Sequence, residues 1–270
     1  MTEQSMNRTN YFTNDSPAVM GILNVTPDSF SDGGHFNLID QAVEQGALML
    51  RQGASIIDIG GESTRPGAEA VNADEELQRV IPVIEALRQR FDCAISIDTS
   101  KASVMRAAVA AGANIVNDVK ALAAPGCMEA VAELNVPVCL MHMQGEPRTM
   151  QHNPVYNDVV EDVKAFFTTR VAQCSAAGID PSNICLDPGF GFGKTLTQNY
   201  QLLSQLESFE SLGLPLLVGM SRKSMIGNIL NNQIEERLSG SLACAVIAAM
   251  KGAAILRVHD VKETVEVLKI

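Results

Sequence analysis

The chain alternates between two hydrophobic patterns. Short apolar runs recur along it: Val19–Leu23, the runs around Ile56, Ile115 and Ile255, Cys93–Ile97, Val138–Leu140, Ile184–Leu186 and Leu216–Val218. Most are separated by stretches with helical periodicity, such as Ala73–Phe91, Val155–Ala177 and Ser239–Met250. Gln52-Gly53-Ala54-Ser55-Ile56-Ile57-Asp58, Ala111-Gly112-Ala113-Asn114-Ile115-Val116-Asn117 and Lys251-Gly252-Ala253-Ala254-Ile255-Leu256-Arg257 repeat one device. Each ends a helix on glycine and then enters a short β-branched or aliphatic run. Asn135-Val136-Pro137 and Gly213-Leu214-Pro215 do the same with proline as the breaker.

Eight apolar strands alternating with helices predict a parallel sheet whose outer face is covered. The count favours a closed (β/α)₈ TIM barrel, an α/β fold, over an open doubly wound sheet. No linker or composition shift breaks the chain, so residues 18–270 read as a single domain. Residues 1–17 read as a polar leader that either caps the barrel floor or is disordered.

Composition narrows the picture. With 46% hydrophobic and 19% charged residues over 270 positions, the chain has enough apolar surface for a core. Trp is absent and aromatics make up 4%, so that core is aliphatic. The longest apolar run, Ala243–Met250, is far short of the ~20 residues of a membrane span. A net charge of −11 without a basic stripe argues against nucleic acid. The six cysteines are scattered, form no C-x-x-C pair and sit mostly in apolar segments, which points to a reduced, cytoplasmic setting. With four histidines and no H-x-H or H-x-x-x-H spacing, a zinc site is not indicated.

Barrel chemistry sits where the strands end. The residues there are Asn24, Asp58, Asp98, Asn117 with Asp118, His142, Asp187, Ser221–Lys223, and Arg257 with His259. Any one of them could be a simple cap, but all converge on one rim. Asp58 reads as a structural acceptor of backbone amides, His142 as a packed histidine, and Arg222 as a solvated surface charge. Lys223 and Arg257 read as anion-binding residues, because strands seven and eight carry the phosphate rim of many barrels. The Asp187–Thr195 turn is not a phosphate loop, since three residues instead of four separate Gly189 from Gly193. Its glycines instead allow close approach to a flat ligand, with Phe190 and Phe192 as walls. Two polar, Gly-containing loops, Thr26–Gly34 and Gly60–Gly67, are candidates for closing over a substrate.

In order, Asn24-Val25-Thr26-Pro27-Asp28-Ser29-Phe30-Ser31-Asp32-Gly33-Gly34, Gly60-Gly61-Glu62-Ser63-Thr64-Arg65-Pro66-Gly67, Ile97-Asp98-Thr99, Met141-His142-Met143-Gln144-Gly145, Asp187–Lys194, Ser221-Arg222-Lys223-Ser224 and Arg257-Val258-His259-Asp260-Val261 closely resemble dihydropteroate synthases, from about Val19 to the C-terminus. The resemblance implies condensation of 6-hydroxymethyl-7,8-dihydropterin pyrophosphate with 4-aminobenzoate in folate synthesis, sulfonamides as inhibitors, and a homodimer. It assigns Asp98, Asn117, Met141, Asp187 and Lys223 to the pterin, and Asn24, Thr64, Arg65, Arg257 and His259 to the pyrophosphate, with Asn24 on Mg²⁺. Phe30, Pro66, Phe192 and Ser224 fall to 4-aminobenzoate, and Asp28, Lys223 and Arg257 to catalysis. The chemistry implied is dissociative loss of pyrophosphate and capture of a pterin cation by the amine. The alternatives are a pterin-dependent methyltransferase and a pterin-binding barrel without turnover.

Overall fold

The computed structural model describes residues 12, 16–26, 35–63, 71–146, 149–150 and 154–270. Among them, eight parallel strands close into a barrel in sequence order, β1 pairing with both β2 and β8. The strands are β1 (Ala18–Asn24), β2 (Ile56–Gly60), β3 (Ala94–Asp98), β4 (Ile115–Asp118), β5 (Val138–Met141), β6 (Ile184–Asp187), β7 (Leu216–Val218) and β8 (Ala253–Val258). The helices are α1 (His35–Arg51), α2 (Ala73–Arg90), α3 (Ala102–Ala110), α4 (Cys127–Leu134), α5 (Val159–Ala176), α6 (Leu196–Ser204), α7 (Ser224–Leu230), α8 (Leu238–Met250) and α9 (Val261–Leu268). The closed barrel predicted from the apolar runs is therefore the fold.

The helix-to-strand junctions work as their sequences suggest. Gly53, Gly112 and Gly252 take φ of 101°, 118° and 88°, a region that side chains with a Cβ rarely enter. At the proline-containing junctions the stop comes earlier. Asn135 (φ 50°) and Gly213 (φ 66°) reverse the backbone, and the proline two residues on only excludes a return to helix. The stretch expected to be helical from Val155 starts later, at Val159. Asp158 caps it by accepting from Val160 N and Glu161 N, while Val155 exchanges two 2.8 Å hydrogen bonds with the Gln144 side chain.

Alternation along each strand sorts the core into two parts. Outward-facing residues such as Val19, Leu23, Ile57, Ile59, Ile95, Ile97 and Leu140 pack under the helices. Inward-facing Met20, Ile56, Ala94, Ile115, Cys139, Cys185, Leu217 and Ile255 fill the lower barrel. Phe12, 2% exposed, packs with this inner set at the bottom of the barrel. All six cysteines are unpaired, and five are buried as small apolar residues. No helix among the described residues is long and apolar enough to cross a membrane.

Candidate active site

Strand register assembles the upper barrel. Asn24 lies opposite Gly60, Gly60 opposite Asp98, and Asp98 opposite Asn117, so four neighbouring strands present one row of inward positions. Gly60 leaves that row open: a Cβ there would lie 3.5 Å from Asp98 Cβ and 3.8 Å from Asn24 Oδ1. Across the barrel, Met141 is opposite Asp187. One layer below, Asp58 and Ser96 are paired in register and fully buried.

Arg257 reaches in from β8 and binds both layers. Its Nε is 2.6 Å from Asp58 Oδ2, and its Nη2 is 2.8 Å from Asp98 Oδ2. Asn117 Nδ2 also donates to Asp58 Oδ2, at 3.1 Å. Asp58 is thus the counter-ion and anchor of Arg257, not an acceptor of backbone amides as its sequence context suggests. Position in the sequence could not reveal this, because the two residues are 199 apart and meet only when the barrel closes.

One guanidinium between two carboxylates leaves the cluster with an excess negative charge. Burial pushes Asp98 up to about 7; Arg257 opposes that rise, and the Asp58 charge adds to it. Burial likewise raises Asp187, against the pull of Lys223. Lys223 is pushed down to about 8 by burial, with Asp187 resisting. Arg257 is held charged: its burial is outweighed by Asp58 and Asp98.

The β6–α6 turn forms the opposite wall. Asp187 Oδ1 accepts from Gly189 N at 2.8 Å, and Lys223 Nζ donates to the Phe190 carbonyl at 2.5 Å. The same ammonium lies 4.7 Å from the Phe192 ring centroid, a cation–π contact. Phe192 therefore sits beside the Lys223 ammonium, whereas the Phe190 ring is fully buried in the outer core. The close approach expected of the glycines occurs within the protein. A Cβ on Gly189 would sit 1.9 Å from the His142 carbonyl oxygen, and one on Gly193 2.3 Å from that of Gln144.

At the rim, Ser221 Oγ accepts from His259 N at 3.2 Å and lies 3.1 Å from its Nδ1. Ser224 is exposed in the first turn of α7. Arg222 is not an isolated solvated charge; it forms a two-point ion pair with Asp260 from a backbone at φ 59°. His142 is packed, as its Met neighbours suggest, with its ring 4.9 Å from that of Phe166. Asp28, Phe30, Thr64, Arg65 and Pro66 lie outside the described residues. The chain on either side of 64–70 is tied together, because Glu62 accepts from Val71 N at 3.2 Å and pairs with Lys101, which also binds buried Glu76 at 2.5 Å.

Asn24, Asp98, Asn117, Met141, Asp187, Phe192, Lys223 and Arg257 thus face one mouth. Residues 20–259 match the family described as pterin binding enzyme. A dihydropteroate synthase of Escherichia coli is 61% identical over 94% of this chain and 90% of its own length. The chain belongs to the dihydropteroate synthase family. It is accordingly an enzyme, a transferase. A Yersinia pestis dihydropteroate synthase solved with a sulfonamide drug complex superposes with a TM-score of 0.92 at 56% identity, covering 100% of this chain and 96% of that one. A Xanthomonas albilineans dihydropteroate synthase in complex with 7,8-dihydropteroate gives 0.87 at 49% identity, over 95% and 93%. The resemblance read from the motifs is thereby borne out as to family and fold.

Two residues have roles in the structure that their sequence context does not give. Asp58 reads as a structural acceptor from its neighbours, although an acid on a β2 position facing the same way as Gly60 hints at a place in the site. Lys194 enters the sequence reading only as the end of the Asp187–Lys194 motif, and a lysine closing a glycine-rich turn gives no sign of where its ammonium points.

Proposed function

We propose that this chain condenses 6-hydroxymethyl-7,8-dihydropterin pyrophosphate with 4-aminobenzoate to give 7,8-dihydropteroate and pyrophosphate. The observation carrying this is the Asp58–Arg257–Asp98 arrangement beside Asp187 and Lys223. Asp98 already holds one guanidinium, and the amino-pyrimidine edge of a pterin presents the same kind of paired N–H donors. Binding then exchanges partners: the pterin takes Asp98, while Arg257 keeps Asp58 and turns toward the pyrophosphate. Asp187 accepts from the remaining N–H groups, Asn117 supplies both a donor and an acceptor, and Lys223 donates to the pterin carbonyl. Met141 and Phe192 pack on the ring system.

Thr64, Arg65, Arg257 and His259 would neutralise the leaving group. The C–O bond breaks with its electron pair going to pyrophosphate, and a ring-stabilised pterin methyl cation remains. The amine lone pair of 4-aminobenzoate attacks that carbon, and its surplus proton is lost to solvent. Asp28, Phe30 and Pro66 would shield the cation, and Ser224 would take the benzoate carboxylate. The described residues contain no cluster of three or more His, Cys, Asp or Glu suited to a metal. Asn24, whose amide oxygen is a neutral hard donor, would hold a Mg²⁺ together with the pyrophosphate, and the ion would supply charge neutralisation of the leaving group. The enzyme acts in the reduced cytoplasm as a homodimer.

The test is pyrophosphate release from the two substrates with Mg²⁺, followed by detection of 7,8-dihydropteroate. Release that depends on both substrates supports the reading. Tight pterin binding with no release sinks it.

A further inference from the structure

Lys194 is 2% exposed, yet none of its hydrogen-bond partners is a carboxylate. Its ammonium donates to the carbonyls of Gly189 (2.9 Å), Phe192 (3.0 Å) and His142 (3.3 Å), and lies 3.0 Å from His142 Nδ1. A buried cation held only by neutral acceptors is costly. Burial pushes it down to about 7, against the pull of Asp187. His142 is pushed down to about 3 by burial and by this neighbouring charge, so its neutral ring accepts.

The groups that face the site hang from the backbone this ammonium gathers. Between its two turn contacts lies the Phe190 carbonyl that holds Lys223. Gly189, one contact, donates its N–H to Asp187. Phe192, the other, places its ring beside Lys223. The third carbonyl, that of His142, follows β5 directly, so the ammonium also fixes the turn to the next strand. Asn199 is a second strap, accepting from Gly191 N at 2.7 Å and donating to the Lys194 and Thr195 carbonyls.

We propose that Lys194 is a positioning residue for the pterin subsite: its ammonium locks the 189–193 turn against the end of β5 and so sets the separation and orientation of Asp187 and Lys223. The proposal rests on the pterin reading of that wall.

The 270-residue chain and its Lys194→Met variant are compared by titration calorimetry with 6-hydroxymethylpterin and, separately, with inorganic pyrophosphate plus Mg²⁺. Loss of hydrogen bonds from a charged donor should weaken pterin binding by about 30-fold while pyrophosphate affinity stays within about threefold. KM for the pterin substrate should rise likewise, with kcat at saturation within about threefold. Pterin affinity within about threefold of wild type, or an equal loss for both ligands, overturns the proposal, the second because a loosened barrel harms both alike. Should Lys194→Met fail to fold, Asn199→Ala releases the same turn at its other strap, and a selective pterin loss of about fivefold is expected. Unchanged pterin affinity in that variant also overturns the proposal. Wild-type protein that binds no pterin refutes the assigned function instead, which keeps the two failures apart.

Discussion

Replacing Asp58 with Asn tests the charge balance at the centre of the site. Arg257 serves two carboxylates, with contacts of 2.6 Å and 2.8 Å, and Asp98 ionises only near pH 7, because burial and the Asp58 charge together outweigh the pull of the guanidinium. An amide at position 58 still offers an oxygen to Arg257 and Asn117 but removes one negative charge. Taking a separation on the order of 5 Å for two carboxylates that share one guanidinium, and an effective dielectric of about 20 to 40, the repulsion removed is about 1.5–3 kcal/mol, or about one to two pKa units. The N–H edge of a pterin needs an ionised acceptor, so wild-type affinity should climb as pH rises through about 7. The variant's affinity should climb through a pH about one to two units lower. Fluorescence titration with 6-hydroxymethylpterin between about pH 4 and pH 8.5 reads both limbs, from the ordinary carboxylate value to above the shifted one. A midpoint unmoved within about 0.3 unit would refute the shared-guanidinium argument and leave burial alone to set Asp98.

Asp187→Asn should weaken the pterin by about 10- to 100-fold in calorimetry, since a neutral amide turns donors toward donors and leaves Lys223 without its counter-charge; unchanged affinity removes Asp187 from the pterin subsite. Arg257→Met strands two buried carboxylates and should cost about 3–5 kcal/mol in urea unfolding at high pH, with a smaller deficit in acid, below the raised value of Asp98; a deficit independent of pH contradicts the ion-pair account. In the wild type, Asp98 is raised in the fold, so its stabilising contribution is complete below its unfolded value near 4 and is lost as pH rises through about 7. The thermal midpoint should accordingly fall across that window, and a flat profile would count against the shift. Phe12→Ala should open a cavity in the barrel floor and lower stability by about 3–5 kcal/mol while pterin affinity holds, read by melting and titration on the same sample; an unchanged melt would show that the floor is closed without it.

Much of the architecture could be read from local pattern. Gly53, Gly112 and Gly252 marked helix ends because their backbone conformation is a property of a single residue. The eight strands were visible because strands buried on both sides are continuously apolar. α5 starts four residues after Val155, where the helical pattern begins, because the Asp158 cap and the Gln144 bridge keep Val155 outside the helix. Phe190 and Phe192 are two residues apart in one turn, yet one is core and the other sits beside the Lys223 ammonium. Nothing in their identity distinguishes them; the turn geometry does.

The sequence by itself determined the closed barrel, the rim on which polar residues gather and the family, because hydrophobic periodicity, turn residues and ordered motifs are all local signals. Only the tertiary structure decided who balances whom: Arg257 with Asp58 and Asp98, Lys223 with the Phe190 carbonyl, Arg222 with Asp260, and Lys194 with three backbone oxygens. Those pairings depend on distance and burial between segments as many as 199 residues apart, and charge acts through space, not along the chain.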